Sequence, residues 1–240
     1  MTDDLQQLLS ALKLRRIAQI LDRELKRLEG QDVSYSEFLA RLLREEVLDK
    51  DRKATEARLH RARMPETWTL DTFPWDRQPG VSRAQMRELA ELNFLSEGIN
   101  LVFIGEPGAG KTGLALSLLR TAIQQGHAGR FIRAQDLFDE MYASLADRSS
   151  RKLLDSLIRL PILLVDELGY LNLRPEQCNL FFKLMDERYV ERKATIITTN
   201  MPYDDWGQFL NNKALTEALL SRLRHRCITL EIPPGHTLRG

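Results

Sequence analysis

At 240 residues, with 43% hydrophobic and 29% charged side chains, the chain has room for one α/β domain of ordinary size plus a small accessory domain. Its longest apolar run, Leu160 to Val165, is far too short to cross a bilayer, and no apolar signal segment follows the acidic opening Met1-Thr2-Asp3-Asp4, so a cytoplasmic protein with no membrane partner is expected. Two cysteines, Cys178 and Cys227, suit neither a zinc cluster nor a disulfide framework, and a net charge of +1 does not by itself announce a nucleic-acid binder.

Residues 1–64 read as a small all-helical domain. Leu5, Leu8, Leu9 and Leu12, then Ile17, Ile20, Leu21, Leu25 and Leu28, keep helical spacing up to Gly30, a residue suited to a C′ stop. Ser34 and Glu37 have the capping-box form, and Phe38, Leu39, Leu42, Leu43 and Val47 give the next helix one apolar face. That helix is expected to run past Leu59, where Arg58, Arg61 and Arg63 form either a solvated face or a contact for a phosphate backbone. Residues 65–99 form a connector and a first core helix. Pro65, Pro74 and Pro79 oppose helix, while Trp68, Phe73 and Trp75 argue for a segment packed on the main domain. Ser82 and Gln85 then cap a helix running through Leu89, Leu92 and Phe94 towards Gly98.

From residue 100 to residue 240, strand-like runs alternate with helical ones. Strands are expected at Leu101–Ile104, Arg130–Arg133, Ile162–Asp166, Thr195–Thr199 and Ile228–Ile232, the pattern of a parallel sheet wound with helices. The first strand runs into Gly105-Glu106-Pro107-Gly108-Ala109-Gly110-Lys111-Thr112, which has the spacing G-x-x-x-x-G-K-[ST], and Gly113 opens the helix beyond. A strand, a glycine-rich turn and a helix in that order point several backbone N–H groups at one spot, which suits polyphosphate. Glycines at 105, 108 and 110 let the backbone approach phosphate oxygens; Lys111 can reach the β- and γ-phosphates, and the Thr112 hydroxyl can ligate Mg²⁺. ATP and Mg²⁺ are therefore the expected cofactors.

Three further segments can complete such a site. The apolar run Ile162–Val165 ends in Asp166 and Glu167, where Asp166 can hold the Mg²⁺ shell and Glu167 can orient and deprotonate the attacking water. Asn200, ending the strand Thr195–Thr199, either senses the γ-phosphate or simply forms the turn before Pro202. Arg222, in Leu219-Leu220-Ser221-Arg222-Leu223, is the first candidate for an arginine supplied to a neighbouring subunit, with Arg224 and Arg226 in reserve.

Taken with Asp166-Glu167-Leu168-Gly169-Tyr170 and Asp205-Trp206-Gly207, these segments resemble the IstB family, ATP-dependent helpers of insertion-sequence transposases related to the DnaC helicase loaders. The resemblance implies the AAA+ P-loop NTPase fold without a C-terminal lid domain, and an ATPase that assembles as a homo-oligomer on double-stranded DNA and works with a cognate transposase. It also implies sensor 1 for Asn200 and the trans-acting finger for Arg222, although Ser221 stands where many relatives have an acid. Arg239 is a weak stand-in for a second sensor. Arg148, Arg151 and Lys152, between the second and third strands, are either DNA-phosphate contacts or a solvated turn. A DnaC-type loader and a small-molecule kinase are the competing readings; Glu167 beside Asp166 suits hydrolysis better than transfer.

Overall fold

The computed structural model describes residues 3–29, 32–169, 171–210, 212–234 and 237–238, so Gly30, Tyr170 and Arg239 lie outside the described residues. The chain divides into two compact units, Met1–Ala57 and Arg58–Gly240.

The first unit holds helices α1 (Asp3–Ala11) and α2 (Arg15–Leu28) and most of α3 (Tyr35–Ala62). The single run of helical spacing through residue 28 is two helices, because Lys13 takes a left-handed φ of 55° and Leu14 N–H turns back to the Leu9 carbonyl at 2.8 Å. Leu9, Ile17, Ile20, Leu21 and Leu42 make its core. Leu14 offers no side-chain cap to α2; instead the buried Glu46 carboxylate, from α3, accepts the Ile17 N–H at 2.9 Å and answers the positive end of the α2 dipole. Ser34 accepts the Glu37 N–H at 3.2 Å, as its spacing predicts. Of the α3 apolar face only Leu42 is buried; Leu39, Leu43 and Val47 are exposed.

The second unit is built on five parallel strands, β1 (Asn100–Ile104), β2 (Gly129–Arg133), β3 (Ile162–Asp166), β4 (Ala194–Thr199) and β5 (Cys227–Glu231), in the order β2-β3-β4-β1-β5. All five fall within one residue of the runs read from the sequence. Residues alternate between the faces. Leu101, Phe103, Leu164 and Ile196 pack under α6 (Lys111–Gln124), whereas Val102, Leu163, Val165 and Ile197 pack with α7 (Ala134–Ala146), α8 (Ser150–Ile158), α9 (Pro175–Val190) and α11 (Lys213–His225). Both faces are covered, which is why the inner strands β1 and β3 read as near-continuous apolar runs, while the edge strands β2 and β5 carry charged or polar residues. The helix expected from Ser82 to Gly98 is broken into α4 (Arg83–Leu89) and α5 (Asn93–Glu97), since Leu92 adopts φ 65°. Ser82 accepts the Gln85 N–H at 3.2 Å, as expected.

One buried cation was not foreseen. The Arg188 guanidinium donates to the carbonyls of Leu157 (2.7 Å), Leu160 (2.9 Å) and Ala194 (2.5 Å) and to Thr195 Oγ1 (2.9 Å). It joins the exit of α8 to the entry of β4, and burial pushes its pKa below the usual guanidinium range.

Candidate active site

Because β4 lies between β1 and β3, the loops leaving β1 and β3 flank the β4 terminus, and three chain segments meet in one crevice at the C-terminal ends of the strands. The crevice is a cavity of about 670 Å³ whose walls include Pro107, Gly108, Gly110, Lys111, Thr112, Gly113, Asp166, Glu167 and Asn200. Gly105 donates its N–H to Thr199 O at 3.2 Å and Ala109 is buried beneath the loop, so both belong to its frame. Lys111 Nζ donates to the carbonyls of Gly105 (2.8 Å) and Glu106 (2.9 Å), which holds its ammonium over the turn.

Two glycines are dictated by close approach. A Cβ on Gly110, at φ 90°, would stand 2.8 Å from Leu238 Cδ1 and 3.0 Å from Phe73 Cζ, and one on Gly113 would meet the Trp68 ring at 3.2 Å. These contacts show what the sequence reading missed: Trp68 and Phe73 from the connector, together with Leu238, close the crevice beside the phosphate turn. Gln78, fully buried, ties the connector down by donating to Ala109 O at 3.0 Å, and Leu238 N–H donates to Gly108 O at 2.8 Å. The aromatics are conspicuous in the sequence, but nothing in their spacing says that they face this turn.

The acidic pair is held by β4. Asp166 Oδ1 accepts the hydroxyls of Thr112 (2.8 Å) and Thr198 (2.5 Å); burial pushes its carboxyl above the ordinary carboxylate value, and the two hydroxyls pull it back. Thr198 Oγ1 also accepts the Glu167 N–H at 2.9 Å, and Thr198 O accepts the Leu168 N–H at 2.8 Å. Glu167 thereby sits at φ 57°, a left-handed conformation that costs about 1–2 kcal/mol for a residue with a Cβ. The turn lifts the Glu167 side chain into the open crevice while Asp166 stays buried. Thr112 and Asp166 offer two hard oxygens side by side. A hydroxyl and a carboxylate are the oxygen donors that suit Mg²⁺, an ion that completes its shell with phosphate oxygens and water.

The structure does not bring every candidate to this crevice. Arg222 is absent from its walls: Nε pairs with Asp186 of α9 at 2.6 Å, a terminal nitrogen donates to Ala218 O at 3.1 Å, and the guanidinium lies 5.5 Å from the Phe182 ring centre. Arg224 and Arg226 lie over Tyr203 and Tyr189. Arg148, at φ 59° in the turn from α7 to α8, is exposed, as are Arg151 and Lys152. Trp206, from the Asp205-Trp206-Gly207 segment, is fully buried and packs 5.5 Å from Tyr203. No helix among the described residues is long and apolar enough to cross a membrane.

The chain is 34% identical to the ATP-binding protein of insertion sequence IS21 from Pseudomonas aeruginosa, over 95% of this chain and 86% of that one. It is likewise 34% identical to the ATP-binding protein of insertion sequence IS5376 from Geobacillus stearothermophilus, over 84% and 80%. Among solved structures it resembles the DnaC helicase loader (TM-score 0.59, 27% identity, 69% of this chain and 96% of that one). The replication initiator DnaA, solved with AMPPCP and single-stranded DNA, shares the fold (TM-score 0.61, 20% identity, 72% and 52%). The parallel sheet, its covering helices and the phosphate turn form the expected AAA+ P-loop fold. The IstB-like ATP binding protein family matches residues 7–239, and the chain belongs to that family.

Proposed function

We propose that the protein is an ATPase that helps an insertion-sequence transposase, hydrolysing ATP while assembled as a homo-oligomer on duplex DNA. The observation that carries this reading is the Thr112 hydroxyl donating to Asp166 at 2.8 Å beneath the phosphate turn, with Glu167 beside them on the same crevice wall. Lys111 and the loop N–H groups hold the phosphates. Thr112 and Asp166 would hold the Mg²⁺, which would offset negative charge on the phosphates. Glu167 takes the proton of the attacking water, and Asn200, at the end of β4, orients that water or the γ-phosphate. Trp68 and Phe73 offer the flat apolar wall that suits a purine.

In this reading Arg222 serves a neighbour. Its absence from its own crevice agrees with a residue used in trans, and its ion pair with Asp186 supplies the tether that Ser221 cannot. The 1–64 helices choose the partner. Phosphate release should accordingly rise with protein concentration and with added duplex DNA. Turnover that responds to neither would rule out a shared pocket. The DnaC likeness supports a second reading as a helicase loader, and capture of a replicative helicase in place of a transposase would favour it.

Thr198 is the joint between the two acids, because one hydroxyl donates to Asp166 and accepts from the Glu167 backbone. In Thr198→Val the Glu167 N–H loses its partner, so stability should fall by about 1–3 kcal/mol. Turnover should fall about 10-fold with little change in ATP affinity, because the misplaced group acts in the chemical step. Thr198→Ser, which keeps the hydroxyl, should restore both; equal turnover in the valine and serine variants would remove Thr198 from this role.

A further inference from the structure

A second concavity, of about 340 Å³, is lined by Arg83 and Arg87 of α4, Arg120 of α6, and Asp71, Trp75 and Gln124. Three guanidiniums thus share one hollow with a single carboxylate. Arg83 lies 5.6 Å from the Trp75 ring centre, yet among the described residues no ion pair engages Arg83, Arg87 or Arg120. Arg120 Nε is buried and has no hydrogen-bond partner. That is costly for a charged donor in the middle of a helix whose neighbours Leu118, Leu119, Ala122 and Ile123 are buried. The Ser117 and Thr121 hydroxyls on the same wall donate backwards to the carbonyls of Gly113 (2.7 Å) and Ser117 (2.9 Å), so the donors left facing the hollow are chiefly guanidinium N–H groups.

A third hollow shows the contrast. It collects Arg63, Arg130 and Arg133, but also Asp136, Asp139 and Glu140, and Glu140 pairs with Arg130 at 2.5 Å and with Arg63 at 3.9 Å. There the chain brings three carboxylates and pairs Arg130 and Arg63, although Arg130 Nε is likewise buried without a partner; around Arg83, Arg87 and Arg120 no ion pair is made among the described residues. From this we infer that the Arg83–Arg87–Arg120 hollow is a binding site for a phosphate group. Guanidinium forks match phosphate oxygens in pairs, and three guanidiniums beside one carboxylate leave the hollow with an excess of positive charge that an anion would offset. The phosphate can come from a DNA backbone or from free inorganic phosphate. Only the first source rests on the DNA-bound ATPase reading.

The test uses the full chain with its nucleotide crevice filled by a non-hydrolysable ATP analogue, so that phosphate cannot enter the loop at Gly105–Thr112. Arg87→Gln, at an exposed position, and Arg120→Gln are compared with the unaltered protein for duplex binding across a salt series, and by calorimetry with inorganic phosphate. Unchanged analogue affinity and thermal melting show that each variant is folded; Arg87→Gln carries the test if Arg120→Gln does not fold. If the hollow holds DNA phosphate, each variant should bind duplex about 10-fold more weakly regardless of sequence, and the slope of log affinity against log salt should flatten by about one. Duplex binding at the unaltered affinity and slope, with phosphate binding absent or unaffected, overturns the proposal while leaving DNA binding intact. Should the unaltered protein fail to bind duplex yet bind phosphate in an Arg87-dependent way, the DNA reading falls and the phosphate site stands. Variants that lose only a protein partner would instead identify the occupant as an acidic side chain and overturn the proposal.

Discussion

Glu167→Gln is expected to keep ATP bound and to lower turnover by about 10²-fold or more, the usual contribution of a general base. The substitution keeps the size of the side chain and the left-handed backbone at φ 57°, and the N–H held by Thr198 at 2.9 Å is untouched. Asp166, Thr112 and Lys111 keep their own contacts, so the groups that hold phosphate and metal remain in place. Only the ability to accept a proton is lost. Nucleotide binding measured at equilibrium, alongside phosphate release, separates these effects. Turnover near that of the unaltered protein would move the base elsewhere, and weakened ATP binding would mean that the carboxylate contacts the nucleotide directly.

Lys111→Ala is expected to act on binding itself. The Lys111 ammonium spans the turn through the Gly105 and Glu106 carbonyls, and side-chain and backbone donors together form the cradle. Charge-assisted hydrogen bonds of this kind are worth about 1.5–3 kcal/mol each, so ATP affinity should fall by about 10²-fold. The rise in melting temperature that ATP gives the unaltered protein should shrink or vanish at the same nucleotide concentration. Melting without nucleotide checks that the turn still folds. An ATP-induced shift of the original size would show that the phosphates lie elsewhere.

The sheet was legible because each buried strand carries a run of apolar residues bounded by turn-formers, and the phosphate loop because its glycines and lysine obey a fixed spacing set by backbone geometry. Asp166 and Glu167 were legible for the same reason, since they end such a strand. Helix breaks were not: Lys13 and Leu92 take left-handed conformations that neither residue type advertises. In the sequence Thr198 is merely a strand residue. Its role arises from the pairing of β3 with β4, a contact between residues far apart in the chain. The same holds for Arg188, Asp186 and the Arg120 hollow, where partners come from separate elements. The roles of Trp68 and Phe73 depended on which way the connector folds over α6, and an aromatic in a proline-rich segment states only that it will be covered.

The connector places two of the chain's three tryptophans in different cavities, Trp68 beside the phosphate turn and Trp75 in the arginine hollow, while Trp206 is fully buried. The molecule therefore carries an intrinsic optical reporter for each cavity. With Trp75 replaced by phenylalanine, the emission of Trp68 follows nucleotide arrival in real time without a dye; the reciprocal replacement watches the hollow instead.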